Sequence, residues 1–261
     1  MTEQPVLLDR AGAVLTVTLN RPHRKNAIDQ PMWDGLYDAF HDAERDDDVR
    51  VVVVTGAGGD FCAGADLSAD RTDHPLTRMH RVNDVALALN EISKPTIAKV
   101  DGVAVGAGWN LALGCDLVVA TERARFSQIF ARRGLSLDFG GSWLLPRLVG
   151  LQQAKRLALR AEMIDTAEAR DLGLVTWIKP AAELDSFVDS LAAELAELPP
   201  VALALSKRLL EEGASRTLRE ALEGEARAQT VNFATEDAPA AFEAFLLAKT
   251  EAKYTGRWAV R

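Results

Sequence analysis

The feature that most constrains the fold is an alternation of short apolar runs with stretches of helical spacing. Residues 49–55, 94–100 and 116–121 are rich in β-branched and other apolar side chains, which predicts three strands. Residues 76–91 and about 107–114 lie between them and carry apolar side chains at helical intervals. Strands and helices that alternate in this way typically form a parallel sheet that is buried between helices. The sequence therefore predicts an α/β fold.

The N-terminal segment predicts a β-hairpin followed by a capped helix. Two apolar runs within residues 6–20 are separated by a turn at residues 9–12. Asp29 then stands where a helix N-cap is expected, and Pro31 falls in the first turn. The predicted apolar face of this helix comprises Trp33, Leu36, Tyr37 and Phe40.

Beyond residue 150 the chain is predicted to be mostly helical. Leu, Ala, Glu and Arg recur at helical intervals, interrupted by the apolar run 174–178 and by prolines 199 and 200. From residue 200 onwards we expect helices only. The sequence shows neither an internal repeat nor a low-complexity segment, so we expect one compact unit with a helical appendage.

Charge and composition disfavour several classes of partner. Thirty Lys and Arg against 38 Asp and Glu give a formal net charge of −8 without a long basic run, so nucleic acid is not expected. No stretch approaches about 18 uninterrupted apolar residues, and the N-terminal residues do not resemble a signal sequence. Cys62 and Cys115 form no disulfide framework, and the four histidines have no metal-ligand spacing. We therefore expect a cytoplasmic location, no membrane association and no metal.

Two glycine-rich turns, at residues 61–67 and 101–110, follow predicted strands. Small residues let the backbone approach a ligand closely, and two free backbone N–H groups aimed at one oxygen would form an oxyanion hole. Such turns also occur as simple tight packing, so each one alone is ambiguous. Gly106 and Gly108 do not complete a dinucleotide-binding motif, because Leu111 stands where its third glycine is required. A nicotinamide-dependent enzyme is therefore disfavoured.

Four motifs in this order resemble the crotonase family, the enoyl-CoA hydratases and isomerases. They are residues 20–22 (Asn-Arg-Pro), 61–66 (Phe-Cys-Ala-Gly-Ala-Asp), 101–108 (Asp-Gly-Val-Ala-Val-Gly-Ala-Gly) and 171–175 (Asp-Leu-Gly-Leu-Val). The resemblance extends over nearly the whole chain. It implies a crotonase-type spiral of ββα turns in residues 1–198 and a C-terminal helical trimerisation region in residues 199–261. It also implies an acyl-CoA substrate without a further cofactor, and homotrimers or hexamers built as dimers of trimers.

The resemblance also implies which residues hold the thioester. The family's two oxyanion donors correspond to the backbone N–H groups of Ala65 and Ala107. The alanine at the second position, where many members have glycine, keeps the N–H group. The remaining implied contacts with coenzyme A are Arg24 and Lys25 for the phosphates and the backbone of Ala63, Asp66 and Leu67 for the adenine. Lys249, Lys253 and Tyr254 could reach the phosphates held by a neighbouring subunit, although solvated side chains are the more common interpretation of such residues.

The residues themselves support part of this assignment. Arg21, His23, Arg24 and Lys25 form a basic cluster beside a loop, which suits a polyanionic ligand but also a solvated turn. Asp66 is expected to hold its own loop through an Asx-type hydrogen bond rather than to act as a base.

The residues expected to act on the acyl group differ from those of a hydratase. Hydratases of the family carry a glutamate at each of two positions, one to activate water and one to protonate carbon. Here these positions hold Asn110 and Phe130, which cannot transfer a proton at neutral pH. Asp138 lies among apolar residues, which should raise its pKa, and its position resembles the acidic residue of the family's isomerases. An Asp before two glycines is also a common turn or helix cap.

Together with residues 140–147 (Gly-Gly-Ser-Trp-Leu-Leu-Pro-Arg), this set looks most like the 1,2-epoxyphenylacetyl-CoA isomerases and their enoyl-CoA isomerase relatives. Phe130 and Trp143 are expected to wall a dry acyl pocket, although aromatic residues are more often part of the core. Asn110 and Gln128 are expected either to orient the acyl group or enolate, or to be structural. The charge-rich residues 68–90 would set the acyl length and could form a mobile lid.

Other interpretations stay open at this stage. The protein could be a hydratase in which Asp138 alone handles water, or in which Glu162 joins the site. Asp138 could act as a nucleophile, as in the family's dehalogenase branch, although that branch has tryptophan where this chain has Phe130. A catalytically silent acyl-CoA-binding protein is a further class. Cys62 is interpreted as a packing residue, because no histidine is positioned to activate it.

Overall fold

The computed structural model describes residues 4–68, 73–250 and 252–258, and within these residues nine strands form two sheets. The strands are β1 (Val6–Ala11), β2 (Val14–Leu19), β3 (Val51–Gly56), β4 (Thr96–Val100), β5 (Val103–Val105), β6 (Leu117–Thr121), β7 (Arg125–Ser127), β8 (Ile164–Asp165) and β9 (Trp177–Lys179). The larger sheet has the order β1-β2-β3-β4-β6-β9, and the smaller sheet has the order β5-β7-β8.

The larger sheet confirms the predicted hairpin and the predicted parallel strands. The predicted turn at residues 9–12 is wrong, because β1 continues to Ala11, which pairs with Val14. β1 and β2 pair antiparallel, and β2, β3, β4, β6 and β9 then run parallel to their neighbours. The apolar run at residues 174–178 forms a strand only at its end, where β9 begins at Trp177. Leu174 and Val175 are buried in the core ahead of this strand, which explains why the run is apolar throughout.

The described part of the chain contains nine α-helices. They are α1 (Gln30–Arg45), α2 (Pro75–Asn90), α3 (Ala107–Leu113), α4 (Gly141–Arg160), α5 (Thr166–Asp171), α6 (Leu184–Glu197), α7 (Pro200–Gly213), α8 (Leu218–Ala234) and α9 (Asp237–Glu243). Helix α4 is interrupted at Gly150, whose φ of 73° is not helical. Short helical turns are found at Pro22–Arg24, Ala57–Gly59, Ile129–Arg133 and Ala244–Ala248.

Helix α1 begins where the sequence predicts. The side chain of Asp29 accepts a hydrogen bond from the Met32 N–H at 3.1 Å, which satisfies a free donor at the helix start. Trp33, Leu36 and Phe40 are buried in the core as predicted. Tyr37, predicted in the same apolar face, is 39% exposed and stacks on His41 instead.

Helix α2 forms most of the segment that was predicted as a possible lid. It packs against α1 and buries Val82, Val85 and Leu89. Residues 69–72, which belong to the same charge-rich segment, lie outside the described residues. Residues 75–90 are therefore a helix that is packed on the core.

Two apolar clusters lie on the two faces of the larger sheet. Along β3, Val52 and Val54 belong to one cluster and Val51 and Val53 to the other, as the two-residue period of a strand requires. Helix α6 covers the second face. Both faces of the sheet are therefore buried, as predicted for an α/β protein.

The C-terminal helices α7, α8 and α9 confirm the predicted helical appendage, but residues 252–258 are not helical, so the prediction of helices to the end is wrong there. These helices and the turn that follows them leave large apolar side chains exposed: Leu210, Leu218, Leu222, Val231, Phe233, Phe242, Phe245, Leu246 and Leu247. Among the described residues, no helix is long and apolar enough to cross a membrane.

Candidate active site

The two predicted glycine turns lie side by side, because they follow strands β3 and β4, which are parallel neighbours. Cys62 joins the first turn to β5. Its N–H donates to the Val103 carbonyl at 2.9 Å, and its carbonyl accepts from the Val105 N–H at 2.9 Å. The buried Sγ of Cys62 lies 3.1 Å from the Asn26 carbonyl, and burial raises the pKa of this thiol to about 12. Cys62 is therefore a packing residue, as predicted.

Two glycines allow this close approach. Gly64 has a φ of +92°, and a Cβ there would lie 2.8 Å from the Val105 carbonyl oxygen and 3.6 Å from the Ala107 nitrogen. A Cβ on Gly108 would lie 2.6 Å from the Cβ of Cys62. Larger residues at either position would push the two turns apart.

The turns present two free backbone donors. Within the described residues, the N–H groups of Ala65 and Ala107 donate to no acceptor. Ala107 is the first residue of α3, where N–H groups have no partner inside the helix. Ala65 bridges to Ile28 through the residues on either side of it, so its own N–H points away from Ile28. Two free N–H groups on adjacent turns can hold one carbonyl oxygen.

Asp138 lies in the loop between the turn Ile129–Arg133 and helix α4. Its Oδ1 is buried and has no hydrogen-bond partner among the described residues. Burial raises the pKa of this carboxyl group from 3.8 to about 6, as the apolar surroundings predicted. Of the apolar residues close to Asp138 in the sequence, Phe139 is buried, whereas Leu135 and Trp143 are exposed.

Asn110 and Gln128 are both fully buried and bind each other. Nδ2 of Asn110 donates to the backbone carbonyl of Asp138 at 2.9 Å, and Nε2 of Gln128 donates to Oδ1 of Asn110 at 2.8 Å. Of the two roles considered for Asn110, orienting the acyl group or supporting the structure, these contacts favour the second. The sequence held no local signal for them, because Asn110 and Asp138 are 28 residues apart.

The two predicted wall residues lie in different surroundings. Phe130 is buried, and its ring lies 3.6 Å from the position that a Cβ on Gly106 would take, next to the turn that ends at Ala107. Trp143 is 43% exposed and stacks on the Arg147 guanidinium at 4.0 Å. Trp143 lines an open groove of about 390 Å³ together with Phe139 and Leu144, and its role as a wall of the acyl pocket stays a prediction.

In the basic cluster of residues 21–25, Arg21 is paired with carboxylates, whereas Arg24 and Lys25 are exposed to solvent. Arg21 lies 3.2 Å from the carboxylate of Asp29 and 3.0 Å from that of Asp66, with its side chain 17% exposed. Hydrogen bonds from Ser68 and Arg21 lower the pKa of Asp66 to about 2. Asp66 therefore holds its loop, as predicted, and Arg21 is a structural residue rather than part of a ligand site.

Arg24 and Lys25 remain exposed and follow Arg21 on the same turn. Nζ of Lys25 lies 3.6 Å from a carboxylate oxygen of Asp60, but the Lys25 side chain stays 61% exposed. The Lys25 carbonyl accepts from the Ala63 N–H at 2.9 Å, which places these basic side chains next to residues 63–67. Leu67, at the end of that segment, is 48% exposed.

Two other residues singled out in the sequence lie elsewhere. Glu162, which was considered as an acid for water activation, forms ion pairs with Arg156 at 2.7 Å and with Arg160 at 2.9 Å. Its carboxylate is therefore already paired. Lys249 follows the turn Ala244–Ala248, is exposed, and makes no ion pair within the part of the chain that the structure describes. No group of three or more potential metal ligands occurs among the described residues.

This fold, with two free N–H groups on adjacent turns and a carboxyl group of raised pKa, defines a protein of the enoyl-CoA hydratase/isomerase class. The family model for enoyl-CoA hydratase/isomerase matches residues 9–257, so the chain belongs to this family, the crotonase family. The resemblance inferred from the four sequence motifs is thereby confirmed.

Relatives in this family carry both isomerase and hydratase names. The chain is 36% identical over 252 residues to the 1,2-epoxyphenylacetyl-CoA isomerase of Escherichia coli strain K12, an alignment that covers 94% of this chain and 95% of the relative. It is 35% identical over 245 residues to the short-chain-enoyl-CoA hydratase of Clostridium acetobutylicum, with 92% and 94% covered. Family membership therefore gives the class of reaction but does not decide between the two activities.

Solved structures show the same fold. A structure from Mycobacterium abscessus described as an enoyl-CoA hydratase/isomerase superposes with a TM-score of 0.92 at 36% identity, covering 97% of this chain and 100% of the other. A structure described as an enoyl-CoA hydratase from Thermobifida fusca, in complex with CoA, superposes with a TM-score of 0.83 at 34% identity, covering 88% and 93%.

Proposed function

We propose that this protein shifts the double bond of an enoyl-CoA-type thioester, with Asp138 as the proton shuttle. One observation carries the proposal: the pKa of Asp138 is raised to about 6, while Asn110 and Phe130 offer no ionisable group at the positions where the family's hydratases have glutamates. A group that accepts and returns a proton works best when its pKa lies near the operating pH.

The geometry supports placing this carboxyl group next to the thioester. Asn110 lies three residues after Ala107 on helix α3, about 4.5 Å along the helix axis. Its side chain bonds the backbone of Asp138. Asp138 is therefore held by a residue that lies one helical turn from the free N–H of Ala107, which supports a place for its carboxyl group near the acyl group.

The proposed reaction begins when the thioester oxygen accepts hydrogen bonds from the N–H groups of Ala65 and Ala107. Asp138 removes a proton from the carbon next to the carbonyl, and the electron pair of the broken C–H bond moves into an enolate that these donors stabilise. Asp138 then returns the proton to the far end of the allylic system, and the carbonyl re-forms. One C–H bond breaks and another forms, so the reaction needs no water and no cofactor beyond the thioester.

The similarity to the Escherichia coli isomerase supports a second substrate class, a ring epoxide on an aromatic acyl-CoA. Such a substrate would use the same oxyanion donors. Its rearrangement would also add no water.

We further propose that the coenzyme A portion binds along the turn that carries Arg24 and Lys25. Their exposed cations suit its phosphates, and the adjacent backbone of Ala63, Asp66 and Leu67 suits its adenine. The Thermobifida fusca structure in complex with CoA supports this ligand for the family. Lys249 would approach the phosphates from a neighbouring copy of the chain.

An absorbance assay tests the proposed activity. The purified protein is supplied with a 3-enoyl-CoA and, separately, with a trans-2-enoyl-CoA. An isomerase makes conjugation appear from the 3-enoyl substrate and does not bleach the 2-enoyl substrate. Loss of the 2-enoyl absorbance, with the 3-enoyl compound untouched, would instead establish a hydratase, the activity named for the Clostridium acetobutylicum relative. Binding of both thioesters without turnover would indicate a silent acyl-CoA-binding protein.

A further inference from the structure

The side chain of Asn110 clamps the backbone of Asp138 in a defined orientation. The Asp138 carbonyl can only accept, so the amide nitrogen of Asn110 must face it, at 2.9 Å. The amide oxygen of Asn110 then faces Gln128, whose Nε2 donates to it at 2.8 Å. Both amides are 0% exposed, so neither exchanges this partner for water.

Packing leaves this amide little freedom to move. A Cβ on Gly141 would lie 2.5 Å from Nδ2 of Asn110, so the helix start of α4 touches the amide directly. The Gly141 N–H also donates to the Asp138 carbonyl at 2.9 Å. Two donors therefore converge on one backbone oxygen.

The residue that follows Asp138 is fixed in the same way. Phe139 adopts a φ of 47°, a left-handed conformation that is unfavourable for a non-glycine residue. Its ring is buried and stacks on Trp33 with a centroid distance of 5.6 Å. The backbone of Asp138 is thus fixed on its C-terminal side by the hydrogen bonds to its carbonyl and by the buried ring of Phe139.

By contrast, the carboxyl group itself is not held by any hydrogen bond within the described residues. A carboxyl group that must accept and return a proton benefits from this freedom, because a fixed donor would compete for its oxygens. Its direction must then come from the backbone that carries it.

We propose that Asn110, oriented by Gln128, is a positioning residue that aims the Asp138 carboxyl group at the reacting carbon. The inference rests on the proposed function, since it assigns Asn110 a role through Asp138 and not through the substrate. Without the amide donor the loop relaxes, and a misplacement of about 1 Å at a reacting group costs on the order of a hundredfold in rate.

The variant Asn110→Leu tests this, because leucine has a similar size and offers no hydrogen bond. We expect kcat on the substrate that the wild type turns over to fall about 10- to 100-fold. The KM for the thioester should stay within about twofold, because the oxyanion donors and the coenzyme A contacts are unchanged.

A double-mutant cycle with Asp138→Asn separates positioning from direct action. If Asn110 acts through Asp138, Asn110→Leu lowers kcat in the wild-type background and has no further effect in the Asp138→Asn background. If Asn110→Leu slows both backgrounds equally, Asn110 acts on the acyl group or on stability, and the inference is overturned. A kcat for Asn110→Leu within about threefold of the wild type overturns it as well.

Two further variants serve as a control and as a substitute for Asn110→Leu. Asn232→Leu breaks another Asn–Gln amide pair, with Gln229 on helix α8, and should leave kcat unchanged. Should Asn110→Leu fail to fold, Gln128→Leu removes the bond that orients Asn110 and should show the same non-additivity with a smaller loss. If Asp138→Asn alone leaves kcat unchanged, the proposed function fails, whereas a slow Asp138→Asn beside a fully active Asn110→Leu rejects only the positioning role.

Discussion

At the scale of single residues, the environment of Asp138 sets the pH range of the proposed reaction. The carboxyl group must be ionised to remove a proton, and burial raises its pKa to about 6. We therefore predict that kcat/KM falls about tenfold per pH unit as the pH drops below about 6. A pH profile of kcat/KM measures this. An acid limb near the ordinary carboxyl value of about 4 would contradict it.

The same burial predicts that Asp138 lowers stability at neutral pH. Its pKa is higher in the folded state, so the folded protein binds this proton more tightly. The protonated carboxyl group therefore favours the folded state in acid, and this contribution to stability is lost as the pH rises through about 6. Asp138→Asn should therefore raise the free energy of unfolding at pH 7.5 by about 1–3 kcal/mol.

Denaturant unfolding of both proteins at equal concentration measures this difference. At about pH 4 the gain should vanish, because the wild-type carboxyl group is then protonated in the fold. A variant that is less stable than the wild type at pH 7.5 would show that the carboxylate is stabilised by its surroundings, contrary to the account.

The contacts of single side chains were the hardest feature to predict from the sequence. Arg21 is a basic residue beside a loop and resembled a ligand contact. Its two carboxylate partners became visible only in the fold, since Asp66 lies 45 residues away. Trp143 is an aromatic residue of the kind that lines apolar pockets, but how far its side chain is exposed on helix α4 depends on tertiary packing. Contacts between distant residues leave no periodic or local signal.

At the scale of elements, the contact between the two glycine turns should control the spacing of the oxyanion donors. Gly108→Ala places a methyl group about where Cys62 already lies, with a separation of 2.6 Å to its Cβ. We predict a loss of about 1–3 kcal/mol in stability and a fall in kcat of tenfold or more.

Thermal unfolding and steady-state kinetics check this prediction, with Gly213→Ala as the matched control. Gly213 is also helical, but a Cβ there would meet nothing within 4 Å. Its substitution should leave kcat unchanged. Equal effects of the two substitutions would show that the close approach of the turns is not important.

Most elements could be predicted because their signals are local. The hairpin, the Asp29 cap and the β-branched strands depend on neighbouring residues, and each is found in the structure. Strand β9 was not predicted, because the apolar run at residues 174–178 also contains Leu174 and Val175, which pack in the core ahead of the strand. The glycine turns were found in the sequence, and the family resemblance implied the N–H groups of Ala65 and Ala107 as donors. Only the fold shows that neither N–H group has an acceptor among the described residues.

At the scale of the whole molecule, we propose that residues 199–261 join copies of the chain into a trimer or hexamer. Phe245, Leu246 and Leu247 are 77%, 67% and 77% exposed, and the helices before them expose further apolar side chains. Large exposed apolar side chains in this number are typical of an interface between proteins.

Sedimentation velocity tests this proposal directly. The wild type should sediment as a trimer or larger, and Phe245→Glu should shift it toward smaller species, because the charge would be buried in the interface. Leu8→Glu is the control: Leu8 is 56% exposed on strand β1, and its substitution should leave the assembly intact. A wild type that sediments as a monomer would contradict the proposal.

Hydrogen exchange shows whether Asp138 moves a proton on the carbon next to the thioester carbonyl. The protein is incubated in D2O with a saturated acyl-CoA, which can form the enolate but cannot shift a double bond. NMR then follows the proton on the carbon next to the carbonyl. We predict enzyme-dependent deuterium incorporation that Asp138→Asn abolishes. Exchange that persists in Asp138→Asn would show that another group is the base and would contradict the account.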